Sequence, residues 1–229
     1  MKRSIMVAAA VMSAAVMLCG CSAGSSFGKA SGVPDKPETW SVEQRSLDDV
    51  TPMEGETQVF VTRNEEDDTV RIIQGVLSDN PVNDAKGALD LIASYSQVMG
   101  FVDVYSELQL SNTIDYGDKM EYRFDQFCDG MKAGFVEIMV DRNEANKAVV
   151  LNSNYIDLWG FNTKPKVSET EAVQCAAEKY KTDKNAKAEL VIYEGPLLAW
   201  KVPVKDDEVC EVYINADNGD IAGETLLDC

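Results

Sequence analysis

The chain has 229 residues with 39 acidic, 21 basic and no histidine side chains, so its formal net charge at pH 7 is −18. That balance excludes a binder of nucleic-acid phosphates, which needs clustered Lys and Arg. The absence of histidine excludes HExxH zinc centres, Ser-His-Asp triads and Cys-His dyads. The sequence also contains no GxGxxG or GxxxxGK[ST] phosphate loop. We therefore expect a protein that is not an enzyme, with no catalytic residues, no metal site and no cofactor.

The first 20 residues have the pattern of an export signal. Lys2 and Arg3 precede an uncharged run of 14 residues, Ile5 to Leu18, which is too short to span a hydrocarbon core of about 30 Å. The run ends in Leu-Cys-Gly-Cys-Ser, which resembles a bacterial lipobox with Cys21 as the lipidated residue. We expect cleavage after residue 20 and a lipid anchor to a membrane of the cell envelope, on the extracytoplasmic side. The open alternative is a secreted protein cleaved at a nearby small residue.

Residues 21–57 are predicted to form a flexible tether. They begin with a small, polar stretch without periodicity and continue with low hydrophobicity past Pro34 and Pro37. This segment contains three apolar residues, Trp40, Val42 and Leu47. Two alternatives stay open for them, which are docking on the folded part of the chain and exposure to solvent.

Four cysteines remain after Cys19 and Cys21 are set aside, namely Cys128, Cys175, Cys210 and Cys229. An exported location permits disulfides, and an even number of thiols suits them. Cys175 falls on the inner face of a predicted helix and Cys210 on that of a predicted strand, so we expect these two to pair, although other pairings stay open. No CxxC pair is present, which disfavours a four-thiolate metal site.

Residues from Gln58 onward show the pattern of a helix packed on antiparallel strands. Asn83 or Asp84 can cap a helix that runs to about Met99. Turn chemistry at Tyr116-Gly-Asp118 and Asp129-Gly130 separates extended runs. The predicted strands are Gln58–Thr62, Thr69–Leu77, Met120–Cys128, Gly134–Val140 and Lys147–Tyr155.

A second helix and sheet are predicted after the connection Leu158–Lys166. Ser168 and Glu171 form a capping box for a helix that ends near Lys181. Asp217-Asn-Gly219 predicts a hairpin, which would pair Ile214 with Ile221. Apolar residues alternate at period two along the strands before this hairpin: Leu198, Trp200, Val202, Val204, Cys210, Val212 and Ile214. The expected fold is α+β, with two consecutive modules, each a helix packed on a curved antiparallel sheet (cystatin-like).

Two stretches of the chain resemble known modules. The strand Leu198–Val202, which reads LAWKV, and the hairpin Val212–Ile221 resemble the PepSY module. Residues 70–155 resemble the propeptide module named for fungalysin and thermolysin (FTP). The pieces that carry this second resemblance are Ile73–Leu77, the helix that ends at Met99-Gly100, Glu121–Phe127 and Asp129–Phe135. The resemblance implies an FTP-like module (58–157) and a PepSY module (158–229), which follow the signal peptide (1–20) and the tether (21–57) expected from the residues themselves.

In precursors of thermolysin-type metalloproteases, these two modules assist folding of the catalytic domain and inhibit it until they are removed. The resemblance therefore implies a non-catalytic envelope lipoprotein that binds an extracytoplasmic protease, such as a secreted metalloprotease, in trans, and inhibits it or assists its folding. On this interpretation we expect partner contacts on one strand, at Tyr122, Arg123, Gln126 and Phe127. The open alternative is a peptide-binding or structural cell-envelope lipoprotein with no protease partner.

Overall fold

The structure is a computed structural model that describes residues 42–65, 67–183 and 185–227. The predicted signal peptide, the predicted lipidation site Cys21, Trp40 and Cys229 lie outside the described residues. In the part of the chain that is described, no helix is long and apolar enough to cross a membrane.

The first module is an antiparallel sheet of six strands with helices packed on one face. The strands are β1 (Phe60–Arg63), β2 (Val70–Gln74), β3 (Leu108–Asp115), β4 (Lys119–Cys128), β5 (Met131–Asp141) and β6 (Lys147–Ser153). The helices are α1 (Ala85–Ser94), α2 (Ser96–Met99) and α3 (Val104–Glu107). The strand order is β1-β2-β6-β5-β4-β3, so β1 and β3 form the two edges.

The core of this module lies between α1 and the sheet. Along β5, buried residues alternate with half-buried ones, as expected for a strand with one covered face. Asp84 caps α1 by accepting a hydrogen bond from the Gly87 amide at 2.7 Å, which confirms one of the two predicted caps. The main side chains of the core are Ile73, Leu77, Ile92, Tyr95, Phe101, Phe124, Val136, Ile138 and Leu151.

The helix predicted from Ala85 to Met99 is interrupted at Tyr95. The Tyr95 ring is fully buried, and its hydroxyl donates a hydrogen bond to the Leu77 carbonyl at 2.7 Å. The hydroxyls of Ser94 and Ser96 donate to carbonyls three residues earlier, and such bonds compete with regular helix pairing. Gly100 then ends α2 with φ +75°.

The segment predicted as a flexible tether is part of the first module from residue 42 onward. Val42 and Leu47 pack against the core, so docking is the alternative that holds for both. The Gln44 side chain donates to the Ala93 carbonyl at 3.0 Å and accepts from the Gln97 amide at 3.1 Å, and it thereby bridges the break between α1 and α2. The tether prediction is therefore corrected for this part of residues 21–57.

The second module is a four-stranded antiparallel sheet covered by one helix. Its elements are α4 (Glu169–Lys179), β7 (Glu189–Tyr193), β8 (Leu197–Pro203), β9 (Val209–Asn215) and β10 (Ile221–Leu226), with strand order β10-β9-β8-β7. The predicted capping box of Ser168 and Glu171 is present, and Ile214 pairs with Ile221 as expected. The buried Ala172 and Ala176 let α4 lie close to the sheet.

Both sheets belong to one compact unit. Cα atoms of β7 and β5 approach within 8 Å, so the edge strand β7 of the second sheet lies against the first module. The structure confirms an α+β fold with two consecutive modules of antiparallel sheet and few helices.

Cys175 and Cys210 are not joined in the structure. The Cys210 sulfur, near the start of β9, lies 3.4 Å from the Thr225 carbonyl oxygen. The Cys175 sulfur instead borders Gly219, in the turn that follows the other end of β9. Both cysteines are free thiols in the structure, and the predicted pairing is therefore corrected. The physical reason is distance: Cys210 lies near the start of β9, whereas Cys175 on α4 lies near the turn beyond the end of β9.

Candidate functional site

The four predicted contact residues on β4 do not share one surface. Tyr122 is buried in the core, and Gln126 has no exposed surface. Arg123 and Phe127 are half-buried. Tyr122 and Gln126 are therefore structural residues, because a buried side chain cannot touch a partner without unfolding, and the prediction of partner contact remains for Arg123 and Phe127 only.

Gln126 holds the main chain where the first module ends. Its Nε2 donates to the Ile156 carbonyl at 2.8 Å, and its Oε1 accepts from the Ile156 amide at 2.9 Å. Gly134 leaves room for this arrangement, since a Cβ there would lie 2.1 Å from the Asn154 carbonyl oxygen. The amide of Gln126 thus replaces a strand partner for the connection to the second module.

Glu107 anchors the start of β3 and lies directly before it in the chain. One carboxylate oxygen, Oε2, accepts hydrogen bonds from Gln126 Nε2, at 3.0 Å, and from the Tyr155 hydroxyl. Burial raises the pKa of Glu107, and the two hydrogen bonds only partly oppose this rise. Burial and the neighbouring carboxylate raise the pKa of Tyr155, whose hydroxyl oxygen also accepts from the Val102 amide at 2.9 Å.

Asp115 anchors the other end of β3. Arg142 donates two hydrogen bonds to its carboxylate, at 2.8 and 2.9 Å, and a further one to the Gly117 carbonyl at 2.6 Å. The hydrogen bond from Arg142 holds the pKa of Asp115 below its usual value. The hairpin that joins β3 to β4 is therefore fixed to the turn that follows β5.

Between these anchors, β3 is an exposed edge. Within the described residues it pairs with β4 alone, and six of its eight residues are exposed. Residues 108–114 carry no charged side chain, in a chain that is 26% charged. Native edge strands are usually blunted by charges, proline or bulges, and here a single irregularity between Leu110 and Asn112 is present. The outer row of backbone N–H and C=O groups can therefore receive another strand, apart from the Thr113 amide, which donates to the Asn112 side chain at 2.8 Å.

The other three edges are less suited to pairing. The strand β1 has four residues, one of which, Arg63, forms an ion pair with Asp68. The strand β7 lies against β5. The strand β10 departs from regular register at two places. We therefore define the candidate site as the β3 edge, residues Leu108 to Asp115.

The two sides of the β3 edge differ in chemistry. Leu110 pairs with the core residue Phe124, so its side chain lies on the helix side of the sheet, and it is 49% exposed. On the other side, Ile114 pairs with Glu121. The Glu121 carboxylate accepts a hydrogen bond from the Tyr116 hydroxyl at 3.2 Å and has no ion-pair partner among the residues that the structure describes.

Two of the cations behind this edge, Arg123 and Lys132, are already paired. Arg123 forms an ion pair with Glu137, and its guanidinium lies 4.1 Å from the centroid of the Phe135 ring. Lys132 donates to Asp125 at 2.7 Å, and although burial acts in the opposite direction, this cation holds the pKa of Asp125 below its usual value. Arg123, a predicted contact residue, is thus engaged within the sheet, whereas Glu121 forms no ion pair among the described residues.

The described residues show no cluster of three or more acidic or cysteine side chains that could hold a metal ion.

No protein-family model matches the chain, and no curated protein matches it. Among solved structures, the chain is similar to the Bacillus megaterium YpeB C-terminal domain, with 12% identity over 77% of this chain and 92% of that chain and a TM-score of 0.30. A similarity at this level carries no argument about function. No family is assigned, and the FTP and PepSY resemblances remain predictions.

Proposed function

We propose that the protein is a non-catalytic, lipid-anchored protein of the cell envelope that binds an extracytoplasmic protease in trans, and inhibits it or assists its folding. An extended segment of the partner is added as a strand beside β3. The observation that carries this proposal is the β3 edge itself, which is exposed, uncharged over residues 108–114 and anchored at both ends.

Strand addition uses main-chain hydrogen bonds for affinity and alternate side chains for specificity. The anchors at Glu107 and Asp115 keep β3 extended before the partner arrives, which lowers the entropy lost on binding. A second copy of this chain is disfavoured as the occupant, because two molecules with a formal charge of −18 repel each other.

The choice of a protease as the partner rests on the resemblance to the FTP and PepSY propeptide modules. The β3 edge supports this choice, since a cleft that holds its substrate in an extended conformation offers complementary backbone groups. The lipid anchor rests on the lipobox pattern at Cys21 and on the uncharged run before it.

The test is to incubate the full chain with each secreted metalloprotease of the same organism and to measure peptidase activity and refolding yield. We expect lower activity or a higher yield with at least one protease. Leu110→Lys should abolish the effect, because a charge on the edge opposes pairing. The matched control is Leu226→Lys on β10, where the parent side chain is 64% exposed and the effect should persist.

Unchanged activity and unchanged refolding yield with every protease would contradict regulation of a protease. If the chain then still bound extended peptides at β3, the peptide-binding envelope lipoprotein would be the better description. An effect that survives Leu110→Lys but is lost with Leu226→Lys would move the binding surface to the second module.

A further inference from the structure

We infer that the segment accepted by β3 is an amphipathic strand, apolar on the side that faces Leu110 and basic on the side that faces Glu121. The inference rests on the proposed strand addition and specifies the chemistry of the partner segment. It follows from the different composition of the two sides of one edge.

The helix side of the β3 edge is uncharged and carries Leu110 and Thr113, which pair with the core residues Phe124 and Tyr122. Leu110 is 49% exposed, and Tyr105 on the neighbouring helix α3 is 44% exposed. The Tyr105 hydroxyl is held by a hydrogen bond to Asp90 at 3.0 Å, which fixes the ring. A strand added beside β3 directs every second side chain toward this side of the sheet, where apolar residues would cover Leu110 and remove it from water.

The outer side of the edge carries the Glu121 carboxylate, between Lys119 and Arg123 along β4. Glu121 lies on β4 opposite Ile114, so Ile114 separates it from the position of an added strand. Strands lie about 4.8 Å apart, and the added strand would thus run roughly 10 Å from β4. A lysine or arginine side chain on that strand can lie along Ile114 with its apolar stem and place its charge near the Glu121 carboxylate.

Three cations of this surface are engaged with other carboxylates, and a fourth, Lys119, lies two residues before Glu121 on β4, opposite Asp141 of β5. Arg123 and Lys132 are paired with Glu137 and Asp125, and Arg142 is paired with Asp115. A basic residue from a partner would therefore form a new ion pair without breaking an existing one. The charge of −18 on the whole chain also attracts a basic segment and repels an acidic one during the encounter.

The experiment uses short fluorescein-labelled peptides that alternate valine with lysine or valine with glutamate. Their binding to the full chain is measured by fluorescence anisotropy. We expect the lysine peptide to bind roughly tenfold more tightly than the glutamate peptide. Glu121→Lys should reverse this preference, and Leu110→Asp should weaken the binding of both peptides. The matched control for charge is Glu208→Lys, at an exposed position before β9, which should leave the preference in place.

Lysine peptides that carry N-methyl groups on alternate amides separate the two levels of the proposal, because they cannot donate hydrogen bonds along one edge. If N-methylation abolishes binding but lysine and glutamate peptides bind equally, strand addition stands and the basic-strand inference is overturned. If N-methylation of the valine amides and N-methylation of the lysine amides both leave binding unchanged, or if no peptide binds, strand addition at β3 is itself overturned. A lysine preference that Glu208→Lys removes as fully as Glu121→Lys overturns the role of Glu121.

Discussion

Arg142 donates two hydrogen bonds to the Asp115 carboxylate, at 2.8 and 2.9 Å, and so connects the last residue of β3 to the turn between β5 and β6. The same guanidinium also donates to the Gly117 carbonyl. Because Arg142 follows β5 directly in the chain, the end of the exposed edge strand is held by an interior strand of the sheet. The free edge of β3 is thereby kept in place without being covered.

Arg142→Ala should release the end of β3. The hydrogen bond from Arg142 is the largest cause of the lowered pKa of Asp115, so we expect this pKa to rise toward the usual aspartate value. The shift is measured by NMR titration of the carboxyl carbon, together with faster amide exchange near Asp115. Arg142→Lys, which keeps the charge but loses the two-pronged geometry, should give an intermediate pKa. An unchanged pKa in Arg142→Ala would contradict the anchor.

Gln126→Leu should destabilise the protein although it retains similar volume. The variant leaves the amide and the carbonyl of Ile156 without their partner, and each unsatisfied buried group costs about 1–3 kcal/mol. We therefore expect a loss of about 2–5 kcal/mol in the free energy of unfolding, measured with urea. The control is Gln109→Leu on exposed β3, where the change should stay within about 0.5 kcal/mol. Equal effects for the two variants would mean that Gln126 does not hold Ile156.

Glu107→Gln should change how stability depends on pH. The pKa of Glu107 is raised above 4.5 by burial, so the folded state holds this proton more tightly than the unfolded state. The stability contributed by that proton is fully present below pH 4.5 and is lost as the pH rises through the folded-state pKa. The stability of the variant does not fall in this way, because a glutamine side chain does not titrate. Its carbonyl oxygen can still accept hydrogen bonds from Tyr155 and Gln126, because both bonds end on one oxygen of Glu107.

The unfolding free energy of Glu107→Gln minus that of the parent chain should therefore increase from acidic to neutral pH. The two proteins are compared by urea unfolding across that range, with Glu208→Gln as an exposed control. A difference that decreases with rising pH would show that the Glu107 charge is stabilised in the folded state.

Gly223→Ala should disturb the aromatic pair of the second module. A Cβ at residue 223 would lie 2.1 Å from the Tyr193 hydroxyl oxygen, so the ring that stacks on Tyr213 at 4.0 Å must move. We expect a loss of about 1–3 kcal/mol in the free energy of unfolding and a changed near-UV circular dichroism signal. In a Tyr193→Ala background the same substitution should cost little, and a full cost there would place the clash elsewhere.

The second module could be predicted from sequence because short-range chemistry determines it. The Ser168 and Glu171 capping box and the Asp217-Asn-Gly219 hairpin each involve fewer than ten neighbouring residues, and both occur in the structure as predicted. The period-two pattern also matches β9, where Val212 and Ile214 are buried, but β8 departs from it because Ala199 is buried beside Leu198.

The β3 edge was not predicted because it has no such pattern. Only Leu108 is buried, and the irregularity after Leu110 interrupts the alternation of side chains. A signal was available in the uncharged Ser-Asn-Thr-Ile run before the Tyr116-Gly-Asp118 turn, which is compatible with a solvated strand. An edge strand is stabilised by its neighbour β4 and therefore needs little hydrophobic periodicity of its own.

The burial of Tyr122 and Gln126 could not be predicted from their motif. A motif match does not state which face of a strand each side chain occupies, and the partner of Gln126, Ile156, is 30 residues away in the chain. The prediction that Cys175 pairs with Cys210 was wrong for a related reason. Assigning both side chains to inner faces does not fix their positions along the strand.

Amide hydrogen exchange of β3 tests the central claim most directly. The full chain is measured alone and with the valine–lysine peptide or with a protease that it regulates. Strand addition predicts slower exchange of the outward amides between Leu108 and Asp115, with little change in the edge strands β1 and β10. Unchanged exchange in β3, with new protection in β1 or β10, would contradict the account.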